Sequence, residues 1–188
     1  MKKTLVLLAC TLVLALGATA QERLSFSDLP LVGTPTPLPN GYGGLVWSNF
    51  FYVAPAEWSG AGFGYKLGPD RGDVALIGEQ ACIIDPILGG RTITLPLGCY
   101  GTISSAGGPT SFQAVSAIVA GGFGPTTVTV TAYNKGKYVG SSVYNLTTTP
   151  QNITFPFSWG TITEMVIGTE GAGENFVLFG LNLYLLGG

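Results

Sequence analysis

With ten Asp and Glu residues and no histidine among 188 residues, proton transfer at any reacting centre would fall to carboxylates. Two carboxylates can hydrolyse a glycosidic bond unaided when they stand about 5–9.5 Å apart, so a two-carboxylate glycosidase is one reading of these acids. None of them forms a recognisable strand-end pair, however. The chain also has neither a G-x-S-x-G elbow nor a G-x-x-x-x-G-K-[ST] phosphate loop. The missing histidine removes the usual partner of a Ser or Cys nucleophile and the commonest metal ligand. The residues therefore point to a protein that is not an enzyme.

Metal binding is the next chemistry to consider. Asp70, Asp73 and Glu79 are the densest acidic group, and with Asp28 they could surround a structural calcium ion. Calcium takes about 6–8 oxygen ligands, and glycine-rich loops supply backbone carbonyls readily. Solvated loop carboxylates are the competing reading, and nothing else in the chain calls for a cofactor. Arg71-Gly72-Asp73 spells an integrin-type tripeptide, a match that arises easily by chance.

Contact chemistry has more candidates. Tyr42, Trp47, Phe50, Phe51, Tyr52, Trp58, Phe63 and Tyr65 crowd one short stretch. Flat aromatic faces stack on the apolar faces of sugar rings, and Trp and Tyr also anchor protein interfaces. Core filling accounts for Trp47, Phe50 and Tyr52. Trp58 sits beside Glu57 just ahead of a glycine-rich loop, and Tyr42 is surrounded by glycines, so these two are expected to be exposed ligand contacts.

Three signals place the protein outside the cell. Lys2 and Lys3, the apolar run Leu5–Leu16 and Ala18-Thr19-Ala20 have the order of a secretory signal peptide, too short to span a bilayer. Residues 1–20 are read as that leader, cleaved after Ala20, and residues 21–188 as one domain. Cys82 and Cys99 would then remain, and in an oxidising compartment two cysteines suggest one disulfide, worth about 3 kcal/mol in the chain-entropy account. Asn145-Leu146-Thr147 and Asn152-Ile153-Thr154 are both N-glycosylation acceptors. Only 10% of residues are charged and 46% are hydrophobic, which excludes a disordered chain. Eight Lys and Arg against ten acids, with no basic run, disfavour nucleic acid as a partner.

The elements that must position these residues read as strands. Val128, Val130 and Ala132 alternate with Thr127, Thr129 and Thr131, the period of a strand with one buried face. Asn134-Lys135-Gly136 then supplies a turn, and Lys137–Asn145 a returning strand. Further strands are expected at Arg23–Ser27, Gly43–Val53, Asp73–Ile77, Gln80–Ile84, Cys99–Ser104, Ser111–Ala120, Ile153–Phe157, Thr161–Ile167 and Phe176–Leu185, with Leu29–Asn40 an extended proline-rich loop. The final run is too apolar for an exposed strand and is read as a central one buried on both faces. A glycosylphosphatidylinositol-anchor signal is the lesser alternative, since the polar spacer is missing. The expected fold is all-β, an antiparallel β-sandwich or jelly roll.

Phe26-Ser27-Asp28-Leu29-Pro30, then Pro39-Asn40-Gly41-Tyr42-Gly43-Gly44 and Leu45-Val46-Trp47-Ser48-Asn49-Phe50, follow a recurring order. With Val128-Thr129-Val130-Thr131-Ala132-Tyr133 and the strand from Phe155 to Trp159, the chain resembles a group of small secreted β-rich proteins of fungi, related to sorted bacterial surface proteins. Many of those relatives carry an aspartate in the closing strand, where this chain has Gly180-Leu181-Asn182. The resemblance implies a galactose-binding-like jelly roll secreted to the cell exterior, without an established activity. In plant-colonising fungi such proteins are candidate effectors. The expectation is a secreted binding protein acting at a host surface or apoplast, through immune modulation or induction of cell death. Its partner would be a host or cell-wall component, polysaccharide or protein. The alternative is a carbohydrate-binding or structural cell-wall protein.

Overall fold

The structure is a computed structural model that describes residues 21–59, 64, 74–77, 87–88, 91–92, 100–105, 111–169 and 175–186. Its strands are β1 (Gln21–Leu24), β2 (Thr36–Pro37), β3 (Leu45–Ser48), β4 (Phe50–Val53), β5 (Val74–Ile77), β6 (Ile87–Leu88) and β7 (Arg91–Thr92). After these come β8 (Tyr100–Ser105), β9 (Ser111–Gly121), β10 (Thr126–Asn134), β11 (Lys137–Leu146), β12 (Gln151–Thr154), β13 (Glu164–Thr169) and β14 (Phe176–Leu186). One sheet has the order β12-β9-β14-β5-β4-β2, with β1 also paired to β14, and the other the order β11-β10-β13-β8-β3. β6 and β7 form a separate two-stranded pair. All described pairings are antiparallel. The fold is the expected antiparallel β-sandwich.

Alternation builds the core. Val128, Val130 and Ala132 of β10, Met165 and Ile167 of β13, and Ala114, Ala117 and Val119 of β9 meet between the sheets with Phe176, Leu178, Leu181 and Leu183 of β14. β14 is central, paired to β9 on one side and to β5 and β1 on the other. Every residue from Phe176 to Leu181 is buried, as expected for a strand covered on both faces. The outward face of the five-stranded sheet is not uniformly wet. Thr102, Val166 and Thr131 stand in register on it, yet all three are buried.

The hairpin of β10 and β11 forms as the alternation predicts, but the positive φ angles fall on Lys135 (46°) and Gly136 (77°) rather than on Asn134. The apolar run Gly43–Val53 is not one strand. Asn49, at φ 60°, breaks it, so that β3 joins the five-stranded sheet and β4 the seven-stranded one. The first strand ends at Leu24 because Phe26 also takes φ 60°. The proline-rich loop contributes β2, and it buries Leu38, whose N–H donates to the Phe50 carbonyl at 2.9 Å. Past Pro156 the chain makes a short 3-10 turn, Phe157–Trp159, where a continuing strand was expected.

Candidate functional site

The seven-stranded sheet buries residues on both of its faces. On the face turned away from the sandwich interior, Val53 of β4, Ala120 of β9, and Val177 and Phe179 of β14 form a second apolar cluster, with Phe51, Trp58 and Ile118 packed against it. Trp58 is brought there by a turn after β4, in which the N–H groups of Glu57 and Trp58 donate to the Ala54 carbonyl at 3.0 and 3.2 Å. Phe123 reaches the same place from the loop joining β9 to β10. Its ring lies 6.4 Å from Trp58 at 69°, an edge-to-face pair. Phe123 is 47% exposed and Trp58 half-buried.

Backbone hydrogen bonds hold the Phe123 loop. Gly121 N–H donates to the Thr147 carbonyl at 2.7 Å, and Gly122 N–H to the Asn175 carbonyl at 2.8 Å. The loop closes so tightly that a Cβ on Gly121 would run into the Gly124 carbonyl oxygen, so glycine is required there. An exposed ring on a fixed loop loses little entropy on contact. Beside Glu57, which is exposed, the Phe123 ring and part of the Trp58 ring reach the surface over this buried cluster, with a carboxylate close by in the chain.

Tyr42 is not brought to this face. It packs against the interior cluster, on the other side of the sheet. Its ring stacks on Phe26 at 5.4 Å and 24°, and both rings contact Trp47. Its hydroxyl accepts from Phe26 N–H at 3.0 Å and donates to Asp28 Oδ1 at 2.7 Å. Burial, then the hydrogen bond to Asp28 and that carboxylate's charge, hold the phenol protonated well above the usual tyrosine range. Tyr42 is thus a pin between two segments. It secures Phe26, a bulky residue in the left-handed region, a conformation that costs about 1–3 kcal/mol without such support. Phe26, Tyr42, Trp47 and Phe50, from the segments quoted for the resemblance, meet here as packing.

Of the four acids considered for calcium, only Asp28 is described, and it accepts the Tyr42 hydroxyl; Asp70, Asp73 and Glu79 lie outside the described residues. Among the described residues no three Cys, Asp or Glu side chains gather as a metal site. Cys82, Cys99, the Arg71-Gly72-Asp73 tripeptide and the leader also lie outside the described residues. Asn145 and Asn152 are both exposed. Among the described residues no helix is long and apolar enough to cross a membrane. Phe123 was not anticipated, although an aromatic residue within Gly121-Gly122-Phe123-Gly124-Pro125 bears the same mark, glycine on both sides, that singled out Tyr42.

No family model matches the chain, and no curated protein matches it. Among solved structures it is similar to a DUF4465 family protein from Bacteroides caccae, with 12% identity, a TM-score of 0.51, and 88% of this chain and 92% of that one covered. At that identity the likeness concerns the fold alone. A second structure, the CBM22-1 and GH10 modules of a Clostridium thermocellum endo-1,4-beta-D-xylanase complexed with xylohexaose, aligns at 10% identity and a TM-score of 0.35. That alignment covers 82% of this chain and 28% of the other, and is too distant to inform the site.

Proposed function

We propose that the protein is an exported binding protein without turnover, and that the face bearing Trp58 and Phe123 is its contact surface for a cell-wall polysaccharide. The observation that carries this reading is the Trp58–Phe123 pair itself: two aromatic rings from separate loops, 6.4 Å apart, one of them 47% exposed. Pyranose rings present flat, poorly hydrated C–H faces that stack on such rings. The family resemblance ranks an effector-like role first; an aromatic pair brought together from two loops gives more support to carbohydrate.

The test is retention of the secreted protein on insoluble polysaccharides (chitin, β-glucan, cellulose and xylan), with Trp58→Ala and Phe123→Ala alongside Tyr42→Phe. Both alanine variants are expected to lose at least about tenfold in affinity, equivalent to about 1.4 kcal/mol, while Tyr42→Phe binds like the parent. Failure of the parent to be retained on any of the four, or unchanged retention of both alanine variants, would overturn the reading.

A further inference from the structure

The two N-glycosylation acceptors fall on two neighbouring edges of the sandwich. β11 ends the five-stranded sheet and β12 ends the seven-stranded one. They lie side by side: Tyr144 Oη donates to the Thr154 carbonyl at 2.9 Å, and Gln151 Nε2 donates to the Asn145 carbonyl at 3.2 Å.

An edge strand offers a row of N–H and C=O groups to any other chain, and proteins commonly blunt it with charge, proline or short length. The far ends of both sheets are blunted in this way. β2 has two residues, one of them Pro37, and β3 has four. β11 is different. It has ten residues, no proline, and a single charge, Lys137, at its start. From Tyr138 to Tyr144 it is uncharged, with Tyr138 65% and Val143 61% exposed. Such a window has the composition of a self-pairing segment.

Asn145 stands near the end of that strand, exposed, and Asn152 stands exposed on β12. The Thr127 hydroxyl donates to Asn145 Oδ1 at 3.1 Å, which leaves the side-chain nitrogen for a sugar. A strand added to β11 would run only about 4.8 Å away, and an oligosaccharide rooted on the sheet face at Asn145, beside Thr127 of β10, would crowd its approach. We infer that Asn145 and Asn152 carry N-linked glycans, and that these glycans supply the edge protection that the sequence of β11 lacks. In the modification, the side-chain amide nitrogen bonds the anomeric carbon of an oligosaccharide carried on a lipid diphosphate. The diphosphate leaves, and the amide gives up one proton. The inference is independent of the polysaccharide reading.

The full chain, leader included, is secreted from a yeast, and its peptides are mapped by mass spectrometry. Light scattering over a dilution series then compares the parent, the folded parent trimmed by an endoglycosidase to one sugar per site, and Asn145→Gln with Asn152→Gln. Both sites are expected to be occupied and the parent monomeric. Trimming or substitution should tighten self-association at least tenfold, and Tyr138→Lys added to the glutamine variant should reverse it. Because trimming acts on folded protein, a glutamine variant that misfolds leaves the test intact. Unoccupied acceptors, or a trimmed protein that stays monomeric across the series, would overturn the inference.

Discussion

Gly101→Ala should destabilise the protein, although removing a strand glycine ordinarily stabilises one. Gly101 lies on β8, facing the interior, and its φ is not in the left-handed region, so the backbone admits an L-residue. On conformational grounds alone alanine would gain about 0.5–1 kcal/mol over glycine. A Cβ at that position, however, lies 2.5, 2.9 and 3.1 Å from Cε2, Cδ2 and Cζ of Phe50. The Phe50 ring has no room to retreat. Trp47 meets it edge-on at 5.2 Å and 81°, and Phe176 at 6.3 Å and 87°. Overpacking a core of this kind costs about 1–3 kcal/mol, so the clash wins. The expected net loss is about 1–2 kcal/mol, or a fall in melting temperature of roughly 2–8 °C for a domain of this size. Urea denaturation of Gly101→Ala, Phe50→Leu and the double variant measures the coupling. The smaller side chain makes room for the methyl group, so the double variant should cost at least about 1 kcal/mol less than the two single effects together. A Gly101→Ala protein as stable as the parent, or single effects that simply add, would refute the packing argument.

Tyr42→Phe removes a hydrogen bond to a carboxylate and one from a backbone N–H, so it should lower stability by about 1–2 kcal/mol in urea melts at neutral pH. Its folded-state pKa is raised above the ordinary 10.0, so the contribution is fully present below pH 10 and is lost as pH rises above it. Tyr144, raised chiefly by burial, acts in the same direction. Tyr42→Phe should therefore show a shallower alkaline decline in stability than the parent, and an unchanged slope would count against the burial of Tyr42. Lys135→Asn gives the β10–β11 turn the Asn-Gly pair that its left-handed angles favour, and should raise stability by about 0.5–1 kcal/mol in the same melts. Thr102→Val should be neutral or stabilising by up to about 1 kcal/mol, since the buried Thr102 Oγ1 finds no hydrogen-bond partner among the described residues.

Period-two alternation made the β10–β11 hairpin legible, because threonine and valine differ so plainly in hydropathy. The burial of Phe176–Leu181 followed from apolar length alone, while Tyr184, Leu185 and Leu186 at the end of the same run are only half-buried. The break at Asn49 could not be read in the same way. Leu45-Val46-Trp47-Ser48-Asn49-Phe50-Phe51-Tyr52-Val53 is apolar on both sides of a residue that tolerates positive φ without requiring it. Only the partners, β8 for β3 and β5 for β4, decide that the chain changes sheets there. The candidate site was half legible. Trp58 stood out through its neighbours, whereas Tyr42, equally conspicuous among glycines, is drawn inward by Phe26 and Asp28 from another segment. Phe123 meets Trp58 only because β4 and β9 lie in the same sheet, with β5 and β14 between them.

β14 follows every other described strand in the chain, yet it forms the spine of the larger sheet. Leu24 of the first strand pairs with Leu181, and Gln21 with Tyr184. The ribosome therefore releases the earlier strands long before their central partner exists. Assembly of the larger sheet must await β14 and then close contacts of large sequence separation, a topology that folds in milliseconds to seconds rather than microseconds. Until β14 arrives, β9, β5 and β1 lack the partner they share, and the larger sheet stays open.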